Sequence, residues 1–282
     1  MHIFCDKASA SQKIRIEHNH RFVPSHSMYG QRDKGGFIES SRTPPGETEG
    51  GKRMITVITS TIRPERMDDI FRNYEHQAIR EKELIIILNR DDMDLAAWQL
   101  RASQYPNVSV YQLSSKKTVG QCKNFAVRKA KYNYIAKFDD DDYYGPYYLT
   151  EVMRAFRRKK ADIVGKAQYY AYVEKYKSLL LREGGPENRF VKELRGPTIA
   201  FHKRVFKKVR WPNRRRGGDK AFQKKCVKRG FKLYSTSKYN FTYIRRQDQR
   251  HTWRITDKQF MKDCKFVKKT YYYKRRVNKA IR

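Results

Sequence analysis

The ordered hydrophobic pattern begins abruptly at MITVITS, residues 54–60, an apolar, β-branched run of strand length. Arg63-Pro64 breaks it. Met67, Ile70, Phe71 and Tyr74 then recur at helical spacing, which predicts a helix with one face on a sheet. ELIIIL, 83–88, is a continuous apolar run of the kind buried on both faces of a parallel sheet, and NVSVYQL, 107–113, predicts another short strand. After Gly120, the residues Cys122, Phe125, Ala126 and Ala130 share a helical face; YNYIAKF, 132–138, predicts a strand. Pro146 suits the first turn of a helix whose buried positions are Leu149, Val152, Met153 and Phe156. Strand and helix thus alternate from 54 to 156. That is the signature of an α/β domain, a mostly parallel central sheet flanked by helices.

The second half is less regular. DIVGKAQYYAYVEKY, 162–176, supplies one or two strands, and TIAFHK, 198–203, is a strand entering a short helix. GDKAFQKKCVKRGFKLYS, 218–235, predicts a helix, a stop at Gly230 and a strand. Beyond Trp253 the spacing of Phe260, Met261, Cys264 and Val267 predicts a helix, so 254–282 is expected to be a basic helical tail. Residues 1–53 end in GGFIESSRTPPGETEGGKR, rich in Gly, Pro and Glu, and are expected to form a flexible or loosely packed arm.

Composition narrows the picture. With 39% hydrophobic and 13% aromatic residues in 282, the chain has ample material for a core and is not a disordered polyelectrolyte. Its net charge is +35, and 203–282 alone holds 29 Lys and Arg against four Asp. Such a field suits nucleic acid, an anionic membrane surface or a phosphate-rich substrate. Cys5, Cys122, Cys226 and Cys264 are widely separated, which argues against a structural zinc site and a disulfide scaffold. No basic-then-apolar leader and no apolar run of membrane-spanning length is present, the best being LIIIL at 84–88. A cytoplasmic location is expected, with peripheral contact to an anionic membrane or polymer left open by the charge.

Against that background KFDDDDYYGPYYL, 137–149, stands out. Four aspartates follow a hydrophobic strand and precede a Pro-initiated helix, which puts them where open α/β sheets bind ligands. Adjacent carboxylates repel unless a cation compensates, and Asp139 and Asp141, two apart across a turn, can converge on a hard divalent ion. An acidic surface turn paired with lysines is the plainer alternative. No Gly-x-Ser-x-Gly elbow, His-Glu-x-x-His helix or Walker loop competes.

Three stretches in order, ITVITSTIRPE (55–65), VGQCKNFAVRKAKYNYIAKFDDDDYYGPYYL (119–149) and GGDKAFQKKCVKRGFKLY (217–234), resemble the motifs of family 2 inverting glycosyltransferases. The resemblance covers about 54–253 and implies the nucleotide-sugar-binding GT-A fold. A donor-binding half spans about 54–156, and an acceptor and base half about 157–253. The KFDDDDYY form is also similar to glycosyltransferases of bacterial spore-coat maturation. The resemblance implies Mg²⁺ or Mn²⁺ held by Asp139 and Asp141, with Asp139 also meeting the ribose and Asp142 orienting the site or meeting the donor sugar. Thr59, Thr61 and Arg63 end the first strand where the family holds the nucleotide; ordinary turn polarity is the alternative. Asn89 stands where the family usually has a base-contacting aspartate, a departure that puts uridine specificity in question, and closing the turn is the alternative role for Asp91 and Asp92. Lys123 is placed to meet the diphosphate, or is an exposed lysine of a basic protein; Asn124 would brace the pocket.

Asp219 is the implied general base of an inverting transfer, in which one carboxylate takes the acceptor hydroxyl's proton. Its alternative is a helix cap, and the family's preceding Glu is Gly218 here. In the late loop YIRRQDQRHTW, 243–253, His251 is implied at the metal or diphosphate, and Arg245, Arg246 or Arg250 at phosphate oxygens; a basic surface loop is the alternative. The aromatics from Tyr169 to Tyr176, with Trp211, either stack on an acceptor sugar or belong to the core. The implied partners are a nucleotide-sugar donor, UDP being the family's commonest choice, and a hydroxyl-bearing glycan, lipid-linked or polyol-phosphate acceptor. The rival is a nucleic-acid-binding protein built on WPNRRRGG (211–218) and YYYKRR, in which the aspartates are incidental.

Overall fold

The computed structural model describes residues 54–247 and 255–281. The expected arm 1–53 lies outside the described residues, as do Arg250, His251 and Trp253. The first elements are β1 (Ile55–Thr61), α1 (Met67–Glu75), β2 (Lys82–Leu88), α2 (Leu95–Ala102), β3 (Val108–Gln112), α3 (Val119–Lys129) and β4 (Tyr134–Lys137). The chain continues through β5 (Tyr143–Tyr144), α4 (Tyr148–Lys159), β6 (Ile163–Gly165), β7 (Tyr169–Val173), β8 (Ser178–Arg182) and β9 (Arg189–Val191). Next come β10 (Ala200–His202), α5 (Lys203–Lys208), α6 (Gly218–Lys228), β11 (Leu233–Ser235) and β12 (Phe241–Arg245). The last are α7 (Asp257–Lys262), β13 (Lys265–Lys269) and α8 (Tyr273–Val277).

Among the described residues, eight strands form a sheet in the order β3-β2-β1-β4-β10-β6-β11-β9. The β3-β2-β1-β4 portion is parallel, and β10 runs antiparallel to both β4 and β6. The apolar run of β2 explains its central place: Leu84, Ile86 and Leu88 face one core layer, and Ile85 and Ile87 the other. Helices α1, α2 and α4 bury their apolar stripes on the first layer; α3, α5 and α6 cover the second. Five further strands form a second sheet, β13-β8-β7-β12-β5.

The aspartates connect the two sheets. β4 ends at Lys137 in the large sheet, and Tyr143 and Tyr144 already pair with β12 in the small one. Side chains from α1 hold this crossing: Asn73 Nδ2 donates to the Asp142 carbonyl (2.8 Å), and its Oδ1 accepts from Tyr144 N–H (3.1 Å). Phe138 stacks on Tyr144 with ring centres 3.7 Å apart. The acidic turn is therefore braced by buried hydrogen bonds and ring packing.

Two expectations are corrected. The segment after Trp253 is not one helix: α7 stops at Lys262, β13 pairs antiparallel with β8, and α8 follows. An open strand edge outcompeted helical spacing here, because KFVKK can satisfy its backbone against β8 and turn Val267 toward a small apolar cluster. Phe260 and Val277 are fully buried, so this stretch is built into the domain and is not a tail appended to it. The aromatics proposed for acceptor stacking are core: Tyr169, Tyr170, Tyr172 and Trp211 are all buried. Trp211 lies against Phe222 with ring centres 4.1 Å apart.

Candidate active site

A cleft of about 570 Å³ opens at the carboxyl ends of β1, β2 and β4. Ser60, Thr61 and Arg63 reach it from β1, Asn89 from β2, and Asp139, Asp140 and Asp141 from β4. Lys123 enters from α3 and Asp219 from the first turn of α6. Local sequence explains how each arrives. A reciprocal cap between Thr118 and Gln121 starts α3, and Gly120 lets that helix approach the 211–213 segment: a Cβ there would lie 2.1 Å from the Pro212 carbonyl oxygen. Gly217 takes φ +68°, a left-handed conformation suited to glycine, immediately before α6.

The charges form two networks, one around Arg63 and one around Asp219. Arg63 Nη1 donates to Asp140 Oδ1 (2.9 Å) and Asp141 Oδ2 (2.8 Å), and Thr61 donates to Asp140 Oδ2 (2.6 Å). Lys137, buried on β4, donates to Asp139 Oδ1 (2.5 Å) and Asp219 Oδ2 (3.1 Å). Asp219 Oδ1 accepts from Lys123 (2.7 Å) and from Trp211 Nε1 (2.8 Å). Burial raises the Asp140 carboxyl, and Asp141 adds to this; Arg63 and Thr61 offset only part, leaving it pushed up to about 7. Burial also favours the neutral form of Asp219, but Lys123 and Lys137 outweigh it and hold this carboxyl well below the usual range. Burial would lower Lys137, yet Asp139 and Asp219 more than compensate, and its pKa is raised. Lys123 is lowered, by burial first and with the Lys137 charge adding to it.

The site residues expected from sequence divide by place. Thr61, Arg63, Asn89, Lys123, Asp139, Asp141 and Asp219 line the one cleft. Thr59 is buried in β1 outside that lining. Asn89 Nδ2 donates to the Ser114 carbonyl (2.9 Å), so its amide nitrogen already ties two loops together. Asn124 braces the wall as expected in outline, exchanging hydrogen bonds with the Trp211 backbone (2.9 and 3.0 Å). Lys123 is a buried partner of Asp219 and not an exposed lysine.

Asp142 stands behind the acidic turn, away from the cleft where a donor sugar would lie. It is 2% exposed and does not line the cleft; Oδ1 accepts from Ile244 N–H (3.0 Å), while the buried Oδ2 has no hydrogen-bond partner. Burial, with Asp141 adding to it, raises its pKa far above the usual range, so it braces the acidic turn against β12 from behind. Arg245 is likewise structural, donating to Asp257 (2.7 Å) and the Ile255 carbonyl (2.7 Å). Arg246 donates to the Asp141 carbonyl (3.2 Å) and Asp69 (3.1 Å).

Sequence reasoning passed over Lys137, Asp140, Arg215 and Arg216, all of which line the cleft. A lone lysine inside the apolar YIAKF, directly ahead of four carboxylates, was the available signal for Lys137. Arg215 and Arg216 belong to the RRR that had suggested nucleic acid.

Asp139 and Asp141 do not share a cation here: Asp139 turns to Lys137, whereas Asp141 shares Arg63 with Asp140. Oxygens of two carboxylates converging within 3 Å of one guanidinium nitrogen still make an all-oxygen, anionic donor set, which fits Mg²⁺ or Mn²⁺. Among the described residues no three His, Cys, Asp or Glu side chains group to hold a metal by themselves.

Comparison with known proteins agrees with the fold. The family model described as Glycosyl transferase family 2 matches residues 56–217. Among solved structures, S. aureus TarS 1–349 in complex with UDP-GlcNAc superposes with TM-score 0.57 at 15% identity, covering 74% of this chain and 64% of that one. The mannosyltransferase PcManGT from Pyrobaculum calidifontis, in complex with GDP-Man and Mn²⁺, gives TM-score 0.52 at 13% identity, covering 71% and 60%. S. aureus TarS 1–349 by itself gives 0.53 at 16%, covering 68% and 60%. The chain thus spans about three fifths of the length of these proteins. No curated protein matches it in sequence.

Proposed function

The chain belongs to glycosyl transferase family 2 and has a GT-A fold, and from that premise we propose that it transfers a sugar, with inversion, from a nucleoside-diphosphate-sugar to a hydroxyl acceptor. The carrying observation is that Asp139, Asp141 and Asp219 line a single cleft at the ends of parallel strands, with five Lys and Arg side chains on the same wall. UDP is the proposed nucleotide, in line with the UDP-GlcNAc complex of TarS. GDP is the first competitor, because PcManGT holds GDP-Man and Asn89 departs from the family's usual aspartate.

Asp141 would hold Mg²⁺ or Mn²⁺ together with the diphosphate, and Asp139 would join it by exchanging Lys137 for the ion; the ion, when bound, supplies positive charge to the departing nucleoside diphosphate. Arg63, Arg215 and Arg216 are offered to phosphate oxygens, each able to donate more than one hydrogen bond. Asp219 takes the acceptor proton. Its Oδ1 already accepts twice, but Oδ2 accepts only from Lys137 among the described residues, leaving a lone pair for the incoming hydroxyl. Gly196 protects that position, since a Cβ there would sit 3.0 Å from Oδ2.

The acceptor is proposed to be a glycan, a lipid-linked precursor or a polyol-phosphate chain of the bacterial surface or spore coat. Among the described residues no helix is long and apolar enough to cross a membrane, and the proposed association with anionic surfaces rests on charge. Calorimetric titration of UDP and GDP with and without Mn²⁺ tests the reading. Metal-dependent binding of one of them is expected; equal affinity in both conditions, or none for any nucleotide, would overturn it.

A further inference from the structure

A second concavity, about 1070 Å³, runs along α4 and is closed by the segments after β11 and α8. Five Lys and Arg side chains line it against two Glu, and both Glu are already neutralised. Glu151 pairs with the buried Lys166 (3.0 Å) and accepts from Ser237 N–H (2.9 Å), while Glu187 pairs with Lys238 (3.0 Å). Among the described residues Arg154, Arg158, Lys159 and Lys279 have no carboxylate partner. A concave, low-dielectric wall concentrates the field of such unmatched cations.

We infer that this groove binds a flexible chain of phosphate groups carrying no bases, as an anion site separate from the donor cleft. Two arginines offer forked donors suited to phosphate, and the opposite wall adds Lys279. The aromatic rings argue against nucleic acid. Tyr234 is 5% exposed and lies under Lys159 (5.9 Å), and the Tyr239 ring has Lys238 (5.5 Å) and Lys279 (4.7 Å) near it. Single-stranded nucleic acid is held by open aromatic faces as well as charge, and here the rings are occupied by cations. As the holding site for a phosphate-bearing acceptor the groove rests on the transferase reading; phosphate-chain binding does not.

The test uses the full chain without donor and inorganic polyphosphate as the probe, measured across a salt series. R158A/K279A is expected to weaken binding roughly tenfold or more and to lower the salt slope by about one unit per lost cation. The control K207A/K208A, which removes the same charge from α5, is expected to leave binding near the parental value. Equal weakening by both variants would overturn the groove in favour of diffuse charge. Oligothymidylate binding as tight as polyphosphate, and lost in R158A/K279A, would overturn the base-free assignment. UDP binding with Mn²⁺ is measured on the same samples. If UDP fails to bind while polyphosphate binding is groove-dependent, the donor reading fails and the groove stands.

Discussion

Each concavity holds five cations, but the donor cleft pairs three of them with carboxylates and the groove along α4 pairs one. In the donor cleft Arg63, Lys123 and Lys137 are bonded to four aspartates, and Asp219 alone engages two lysines. Along α4 the carboxylates are spent on Lys166 and Lys238, and four cations face the groove unmatched. A preorganised network of matched charges can exchange partners when a diphosphate and a metal arrive, without stranding a buried charge. An unmatched groove can only attract. A net charge of +35 does not locate a site; the local balance does.

The largest effect is expected of Asp219→Asn. Transfer should fall by roughly 10²- to 10⁴-fold if Asp219 is the base. Because Lys123 and Lys137 are buried and lose their shared counter-ion, stability should also fall, by up to about 3 kcal/mol in urea denaturation. Adding Lys123→Met should recover part of the stability and none of the transfer. Recovery of both would make Asp219 a purely structural partner.

Asp141→Asn should weaken Mn²⁺-dependent UDP binding by about 10²-fold in calorimetry, while metal-free binding changes little. A loss of the same size without metal would point instead to the freed Arg63.

Asp140 gives the cleft a pH signature. Its folded pKa, about 7, is above the ordinary carboxylate value, so the folded chain retains a proton that the unfolded chain releases. That contribution to stability is full below pH ~4 and is lost as pH rises through about 7. Asp140→Asn should remove this slope, gaining on the order of 1–3 kcal/mol relative to the parent between pH 5 and pH 8 in urea titrations. A constant difference between the two proteins at both pH values would contradict the assignment.

The smallest effect belongs to the groove. R158A/K279A should change stability by no more than about 0.5 kcal/mol, since neither side chain has an ionic partner to strand. A larger loss would mean that these cations are part of the scaffold after all.

Much of this architecture is visible in local pattern. ELIIIL is an interior strand because positions buried on both faces of a parallel sheet accept apolar residues at nearly every step, ITVITS reads as a strand from its β-branched residues, and the helices of 67–75, 119–129 and 148–159 carry one-sided apolar stripes. The acidic turn is legible for the same reason, as a charge run fixed at a strand's end. The C-terminal strand was not, because KFVKK became a strand only when β8 offered it an edge.

Sequence alone therefore determined most strands and helices of the donor half, though not α2 or β5, that four carboxylates sit at a strand end, and that an aspartate lies in the first turn of α6. Tertiary structure decided the partners. Lys123 meets Asp219 across 96 positions of sequence and Arg63 meets Asp141 across 78; Asp142 turns into the protein while its neighbours face the cleft. Periodicity records which face of an element is apolar. The choice of ion pair depends on through-space distance and on how far each charge is removed from water, and neither quantity exists until the strands and helices have packed.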